Sequence, residues 1–112
     1  MAKFFALYMA PLAEIDKWMK NTKPEDMKKG MEEWTAWMKD NKKNIADMGA
    51  PLGKTKRVTS SGVSDAKNEV TGYSMVEADS HEAAAKLFEG HPHFQIPGGY
   101  IDVLSVTHMP GI

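Results

Sequence analysis

The chain begins with a short run of apolar and aromatic residues that stops at Pro11. Residues 3–10 have the length and the composition of a β-strand. Because side chains alternate along a strand, its apolar residues divide between two faces: Phe5, Leu7 and Met9 on one, and Phe4, Ala6 and Tyr8 on the other. The pattern therefore predicts a strand that is covered on both sides.

A longer helical periodicity follows the first strand. Between residues 24 and 48, apolar residues recur three, four or seven positions apart, at Met27, Met31, Trp34, Met38, Ile45 and Met48. This spacing predicts an amphipathic helix. Thr22 and Glu25 resemble a capping box at its start, and Gly49 supplies a stop at its end. A shorter helical segment is predicted over residues 12–20.

In the second half of the chain, sequence patterns typical of strands and of a helix follow one another. Residues 54–60 are charged and β-branched, as is typical of an exposed edge strand. A strand over residues 69–78 leads to Asp79 and Glu82, which form a capping signature for a helix that ends near Gly90. Residues 100–107 predict the last strand. The order β-α-β-β-α-β predicts one α+β domain over residues 1–112, ferredoxin-like, with a four-stranded antiparallel sheet.

The predicted helices leave one face of the predicted sheet uncovered. Two helices cover only one face of four strands, yet the first strand is apolar on both faces. The last strand is apolar on both faces too, with Ile101 and Val103 against Leu104 and Val106. A second copy related by a two-fold axis is the simplest surface that covers the open face. We therefore expect a homodimer.

Composition indicates a folded globular protein and argues against several partners. Of the 112 residues, 42% are hydrophobic and 26% are charged. The 14 basic and 15 acidic residues nearly cancel, which argues against nucleic-acid binding. No segment has the roughly 20 apolar residues of a membrane helix, and the N-terminal residues do not resemble a signal peptide. We expect a cytoplasmic protein that binds neither nucleic acid nor membrane.

The absence of cysteine narrows the candidate chemistry further. It excludes disulfides, thiolate nucleophiles and cysteine-ligated metal centres. The four histidines show no recognised zinc spacing, and the chain has no P-loop. We therefore expect neither a metal nor a cofactor.

The most distinctive segment is a loop that carries two histidines. His91 and His93 flank Pro92, and Gly98 and Gly99 follow before the last strand. Proline and glycine fix the path of the backbone here, so both imidazoles would be held at the mouth of that strand. Imidazole titrates near neutral pH, which makes both histidines candidate catalytic residues. In the alternative interpretation they cap helix carbonyls or lie at a dimer rim.

Five other residues complete the candidate site. Asp102 interrupts the apolar last strand, and it would either orient a histidine or hold a polar substrate group, or else form a structural ion pair. Trp34 and Trp37 lie on the long helix and are candidates for the wall of a ligand pocket, with core packing as the alternative. Phe94 and Tyr100 are the remaining candidate ligand-binding residues.

Three segments together resemble the YCII-related (DGPF-like) family: MEEWTAWMKDNKKNIADMGAPLG, GYSMVEADSHEAAAKLFEGHPHF and GGYIDVLSVTHMPG. The resemblance spans about three quarters of the chain, from residue 31 to residue 111. The resemblance implies a dimeric α+β barrel of ferredoxin-like subunits. It also implies small-molecule chemistry, such as dehydrochlorination or lactone isomerisation, carried out by a His–Asp pair. His91 matches the motif histidine, whereas a local His-Asp dipeptide is absent.

Three functional hypotheses remain open at this point. The first is a cofactor-independent enzyme that performs acid–base chemistry on a small cyclic or aromatic molecule, with His91 or His93 as the base and Asp102 as the orienting group. The second is a non-catalytic module that binds a small ligand. The third is a dimeric stress or regulatory protein whose histidines are structural. Perturbed histidine titration beside a closed pocket would favour the first hypothesis.

Overall fold

The computed structural model describes residues 2–107, so His108 lies outside the described residues. The helices and strands are β1 (Ala2–Met9), α1 (Leu12–Asn21), α2 (Pro24–Asp40), β2 (Ile45–Pro51), β3 (Thr55–Thr59), β4 (Gly62–Ala66), β5 (Val70–Ala78), α3 (His81–Lys86) and β6 (Tyr100–Ser105). Short 3₁₀ turns at Lys42–Asn44 and Pro92–Gln95 precede β2 and β6. No helix among the described residues is long and apolar enough to cross a membrane.

Four of the strands form one antiparallel sheet with the order β2-β5-β1-β6. Strand β1 lies in the interior of the sheet, where Phe5 is opposite Met75 of β5 and Leu104 of β6. The two β-α-β halves are interleaved, which is the split arrangement of a ferredoxin-like fold. The predicted α+β class and the predicted four-stranded antiparallel sheet are confirmed.

The two faces of this sheet differ in burial. On the face that packs against the helices, here called the covered face, Phe4, Ala6 and Tyr8 are buried. The rest of the buried core comes from β5 and from α3 and its following turn: Val76, Ala78, Ala84 and Phe88. The opposite face, here called the open face, presents alternate residues of three strands: Phe5, Leu7, Met9, Tyr73, Met75, Tyr100, Asp102 and Leu104. These side chains are half-buried or exposed.

The predicted long helix ends eight residues early, and that prediction was wrong over residues 41–48. Helix α2 stops at Asp40, and Ile45 and Met48 belong to β2, the second strand of the sheet. Gly49 is not a helix stop but an irregular position in β2, with a φ of +74°. A Cβ placed there would lie 1.7 Å from the carbonyl oxygen of Tyr73, so only glycine allows β2 to approach β5 this closely.

Three other local predictions also require correction. The predicted edge strand over residues 54–60 pairs only with β4, in a separate two-stranded sheet. Thr22 does not cap α2; its hydroxyl donates to the carbonyl oxygen of Trp18, which closes the end of α1. Helix α3 is capped by Ser80 rather than Asp79, because the Ser80 hydroxyl accepts from the backbone N–H of Ala83 at 3.1 Å.

Candidate functional site

The side chain of His91 lies in the aromatic core between the sheet and α2. Gly90, with a φ of +71°, turns the chain after α3, and His91 then enters the core with only 2% of its surface exposed. Its ring is surrounded by four aromatic rings at centroid distances of 4.4 to 6.0 Å, from Tyr8, Trp34, Trp37 and Phe88. The two tryptophans meet it edge to face.

The hydrogen bonds of His91 decide which ring nitrogen carries the proton. The backbone N–H of His93 donates to Nδ1 of His91 at 2.9 Å, so Nδ1 is an acceptor without a proton. In the neutral imidazole the proton is therefore on Nε2. Nε2 is buried and has no hydrogen-bond partner within residues 2–107. A buried polar atom without a partner costs free energy in a folded protein, and such an atom can mark a functional site.

Burial also keeps His91 uncharged. Loss of hydration lowers the pKa of His91 to about 4, and the nearby His93 imidazole acts in the same direction. At neutral pH the ring is therefore a neutral hydrogen-bond donor through Nε2. It has no free lone pair with which to act as a base, because Nδ1 is already occupied.

His93 has a different role, at the end of β1. It is 3% exposed, and its Nε2–H donates to the carbonyl oxygen of Met9 at 2.7 Å. Burial lowers the pKa of His93, while the hydrogen bond to the carbonyl group of Met9 acts in the opposite direction. These contacts attach the loop to the sheet, and they leave His93 engaged with the backbone.

An open groove of about 570 Å³ runs along the surface beside His91. Its walls come from α2 and from the loop after α3: Glu33, Ala36, Trp37, Asp40, Gly90, His91, Pro92, Phe94 and Gln95. Gln95 donates a hydrogen bond to the carboxylate of Glu33, which links the two walls. The described lining residues include two carboxylates and no lysine or arginine.

Trp37 connects the groove to the core. Its indole N–H donates to the carbonyl oxygen of Leu87 at 3.1 Å, and its ring stacks on Phe88 at a centroid distance of 5.1 Å. Trp37 therefore lines the groove on one side and contacts His91 on the other. Trp34 lies deeper, against His91 and Tyr8, and does not line the groove.

The predicted partnership of Asp102 with the histidines does not form in the structure. Asp102 lies opposite Leu7 on the open face, whereas His91 packs on Tyr8 on the covered face. Neighbouring residues of a strand point to opposite faces, so the pairing register of β6 separates the carboxylate from the imidazoles. Tyr100 is also on the open face, where its hydroxyl donates to Glu69 at 2.9 Å. That hydrogen bond raises the pKa of Tyr100.

Two groove residues, Glu33 and Asp40, were missed by the sequence analysis. They lie four residues before and three residues after Trp37 on α2. Residues at these spacings are neighbours on a helix surface. Because Trp37 was already a candidate residue, the two carboxylates could have been found among its neighbours on the helix surface.

A second polar network is buried in the core. The hydroxyl of Ser74 donates to the carbonyl oxygen of Met48 at 2.8 Å, and the hydroxyl of Tyr8 donates to Ser74 at 2.8 Å. Burial raises the pKa of Tyr8 to about 12, so this group keeps its proton at neutral pH. The network holds β2 against β5 and is structural. Within residues 2–107, no group of three or more His, Asp or Glu side chains is arranged to hold a metal ion.

Comparison with known proteins supports the fold. No protein-family model matches the chain, and no curated protein is significantly similar to it. Among solved structures, the chain is similar to 5-chloro-2-hydroxyhydroquinone dehydrochlorinase from Burkholderia phenoliruptrix, solved in complex with 2,5-dihydroxybenzoquinone. The TM-score is 0.55 and the sequence identity is 15%, over 96% of this chain and 95% of the dehydrochlorinase. The two proteins therefore share an overall fold along nearly their whole length.

Proposed function

We propose that the protein is a cofactor-independent enzyme of the YCII-related family that performs acid–base chemistry on a small cyclic or aromatic molecule. The observation that carries this proposal is the Nε2–H of His91, a buried donor without a partner among the described residues, beside a groove with aromatic walls. An oxygen atom of a ligand ring would satisfy this donor. Trp37 and Phe94 offer surfaces on which the ring would pack.

The groove suggests how the chemical roles are divided. His91 would donate a hydrogen bond to the ligand oxygen and stabilise negative charge that develops on it. Asp40 would accept the proton, because it is the groove carboxylate that is not already bonded to Gln95. If an O–H bond of the ring breaks, its electron pair stays on the oxygen held by His91. If a C–H bond next to a ring carbonyl breaks, the pair moves through the enolate onto the carbonyl oxygen held by His91. This division differs from the sequence-based prediction, in which a histidine was the base.

The charge of the groove restricts the ligand. Two carboxylates without a described lysine or arginine repel an anion, so the bound form of the substrate would be uncharged. The dehydrochlorinase of similar fold acts on a hydroquinone, a hydroxylated ring that is neutral until it loses a proton. Hydroxylated rings are therefore the first set of compounds to test.

A non-catalytic ligand-binding module is the second candidate. It is favoured by the histidine geometry, since His93 is engaged with the backbone carbonyl of Met9 and His91 is held as a donor only. Such a site would bind a ring oxygen without moving a proton. Proton transfer to Asp40 is therefore what separates the two candidates.

We also propose that the working form is a cytoplasmic homodimer. The open face carries large apolar side chains that are only half-buried in one copy, and packing on a second copy would cover them. The cysteine-free composition suits a reducing compartment.

The binding part of the proposal is tested with 1,2,4-trihydroxybenzene, a neutral hydroxylated ring, by titration calorimetry. Replacing His91 with Phe keeps an aromatic ring in the core but removes the donor, and it should weaken binding roughly 3- to 10-fold, the value of one neutral hydrogen bond. His81→Phe is the matched control, because His81 donates to Val103 outside the groove. Equal affinities of wild type and a folded His91→Phe would refute the assignment of His91.

The catalytic part is tested by proton exchange and by chloride release. The protein in D₂O should speed the exchange of ring hydrogens of 1,2,4-trihydroxybenzene, and it should release chloride from a chlorinated hydroxyhydroquinone. Asp40→Asn should abolish both activities while the neutral ring still binds. It should also bind anionic 2,5-dihydroxybenzoquinone several-fold more tightly, since one repulsive charge is gone. Binding without exchange or chloride release would favour the non-catalytic module.

A further inference from the structure

Among the described residues, 2–107, the hairpin of β3 and β4 packs mainly on itself. Its strands pair with each other from Thr55 opposite Ala66 to Thr59 opposite Gly62, and neither strand joins the main sheet. The radius of gyration is 15.8 Å, against about 13 Å for a compact chain of 100 residues. The described chain is also flat, with principal extents of 46, 45 and 19 Å. The hairpin is therefore a projecting arm.

Side-chain hydrogen bonds hold the base of this arm. Asn68 donates to the hydroxyl of Thr55 at 3.2 Å and accepts from the backbone N–H of Val70 at 3.0 Å. The arm thus leaves the sheet in a defined direction. An isolated two-stranded hairpin is only marginally stable in water, so an ordered arm of this kind requires a surface to pack on.

One face of the arm is suited to an apolar surface. Val58 and Val63 lie directly opposite each other and are 74% and 68% exposed. Lys56 and Asp65, on the same face, neutralise each other in an ion pair. The other face carries Arg57 opposite Ser64 and is polar. An exposed cross-strand valine pair stabilises the hairpin fully only when a partner surface covers it.

The charges of the arm complement those of the open face. Residues 54–67 contain four basic residues, Lys54, Lys56, Arg57 and Lys67, and one acidic residue, Asp65. The charged groups of the open face and its margin are mainly acidic: Glu69, Glu77 and Asp102, with Lys3 opposite Glu77. The basic groups that flank the valine stripe therefore fit the acidic margin of the open face, and the stripe itself fits the apolar side chains of that face.

We infer that the β3–β4 arm of each copy packs its Val58–Val63 face onto the open face of a second copy. This inference rests on the proposed homodimer and adds a contact that packing of the two sheets does not require. Two-fold symmetry makes the exchange reciprocal, so both arms are buried at once. The arms would then cover apolar side chains at the margin of the sheet contact.

The first test compares two arm variants by the dissociation constant of the dimer. Val63→Asp places a charge on the apolar stripe and should raise that constant at least about tenfold, because both arms lose their apolar contact. Ser64→Asp adds the same charge on the other face of the arm and should change it less than about threefold. Circular dichroism checks that both variants are folded. A dimer equally stable in wild type and Val63→Asp refutes the inference.

The second test identifies the surface that the arm contacts. A benzophenone amino acid at position 58 is photolysed in a mixture of ¹⁵N-labelled and unlabelled chains, and the cross-linked peptides are identified by mass spectrometry. The inference requires mixed-isotope cross-links to open-face strands, such as the peptides that contain Leu7, Met75 or Leu104. Cross-links within one chain, cross-links to the helices, or none would overturn it. A dimer that persists in that case would leave the homodimer and the ligand site intact.

Discussion

The backbone N–H of His93 donates to Nδ1 of His91, and this single contact fixes the chemistry of the candidate site. To become charged, His91 would need a proton on Nδ1, where the N–H of His93 already points. Protonation would thus break a hydrogen bond in addition to placing a charge in an aromatic core. Geometry and burial both favour the neutral ring, whose single N–H, at Nε2, has no hydrogen-bond partner among the described residues.

The first prediction concerns pH. Burial lowers the folded-state pKa of His91 from 6.5 to about 4, so between these values the unfolded chain binds a proton that the folded protein does not. The free energy of unfolding should therefore be highest above pH 6.5 and fall as the pH drops toward 4. The lowered pKa of His93 contributes in the same direction.

Urea denaturation between pH 7.5 and 4.5 measures this effect. The pH dependence of His91→Gln should be shallower than that of wild type, whereas Gly30→Ala, which changes no titratable group, should keep the wild-type slope. NMR of the His91 ring should give a midpoint near 4. A midpoint above 6 would contradict the proposed neutral donor.

The second prediction is that Trp34 contributes more to stability than another tryptophan of the chain. Trp34 packs on Tyr8 and His91 at centroid distances of 4.7 and 4.4 Å, whereas Trp18 on α1 is 45% exposed. Trp34→Ala should lower the free energy of unfolding by about 3 kcal/mol, and Trp18→Ala by about 1 kcal/mol or less. Denaturant titration of both variants measures the difference, and equal losses would show that α2 does not pack on the sheet in this way.

The local pattern predicted β1 well but gave the wrong structure for residues 45–51. In β1 the alternation of apolar residues is regular, and its buried residues are those of one predicted face. Ile45 and Met48 instead continue the helical spacing of α2 by coincidence. Their strand conformation comes from pairing with β5 through two irregularities, a tertiary effect that the local pattern does not contain.

The site was predictable in its residue types and not in its geometry. His91 and Trp37 do meet, because Gly90 and Pro92 constrain the chain where the sequence indicated. The aromatic shell of His91, however, is assembled from distant parts of the chain, and no short segment encodes it. The face on which Asp102 lies depends on the pairing register between β6 and β1. The alternation of apolar residues along β6 does not determine that register.

The third prediction is that alanine has opposite effects on stability at two glycine positions. Gly49 has a φ of +74° and no room for a Cβ, so Gly49→Ala should destabilise the protein by at least about 2 kcal/mol. Gly30 lies inside α2, and a Cβ there meets no atom within 4 Å. Gly30→Ala should therefore stabilise the protein by about 0.5 to 1 kcal/mol. Melting temperatures of the two variants should move in opposite directions, and a stable Gly49→Ala would mean that β2 does not approach β5 as described.

The last prediction concerns the open face. Leu104 is 45% exposed on the edge strand β6, and Met75 is half-buried on β5. If the open faces of two copies pack together, a charge at either position would be buried without a partner, which is strongly unfavourable. At micromolar concentration, light scattering should give twice the chain mass of 12.4 kDa for wild type and the monomer mass for Leu104→Glu and Met75→Glu.

Met31→Glu is the matched control for this test. Met31 is 68% exposed on α2, away from the open face, so the same change there should leave the dimer intact. Because Leu104 is already partly exposed in one copy, its replacement should not unfold the monomer, and circular dichroism verifies this. A wild-type protein that remains monomeric at these concentrations would remove the reason for both the dimer and the exchanged arm. The site beside His91 would still stand, since all of its described residues belong to one chain.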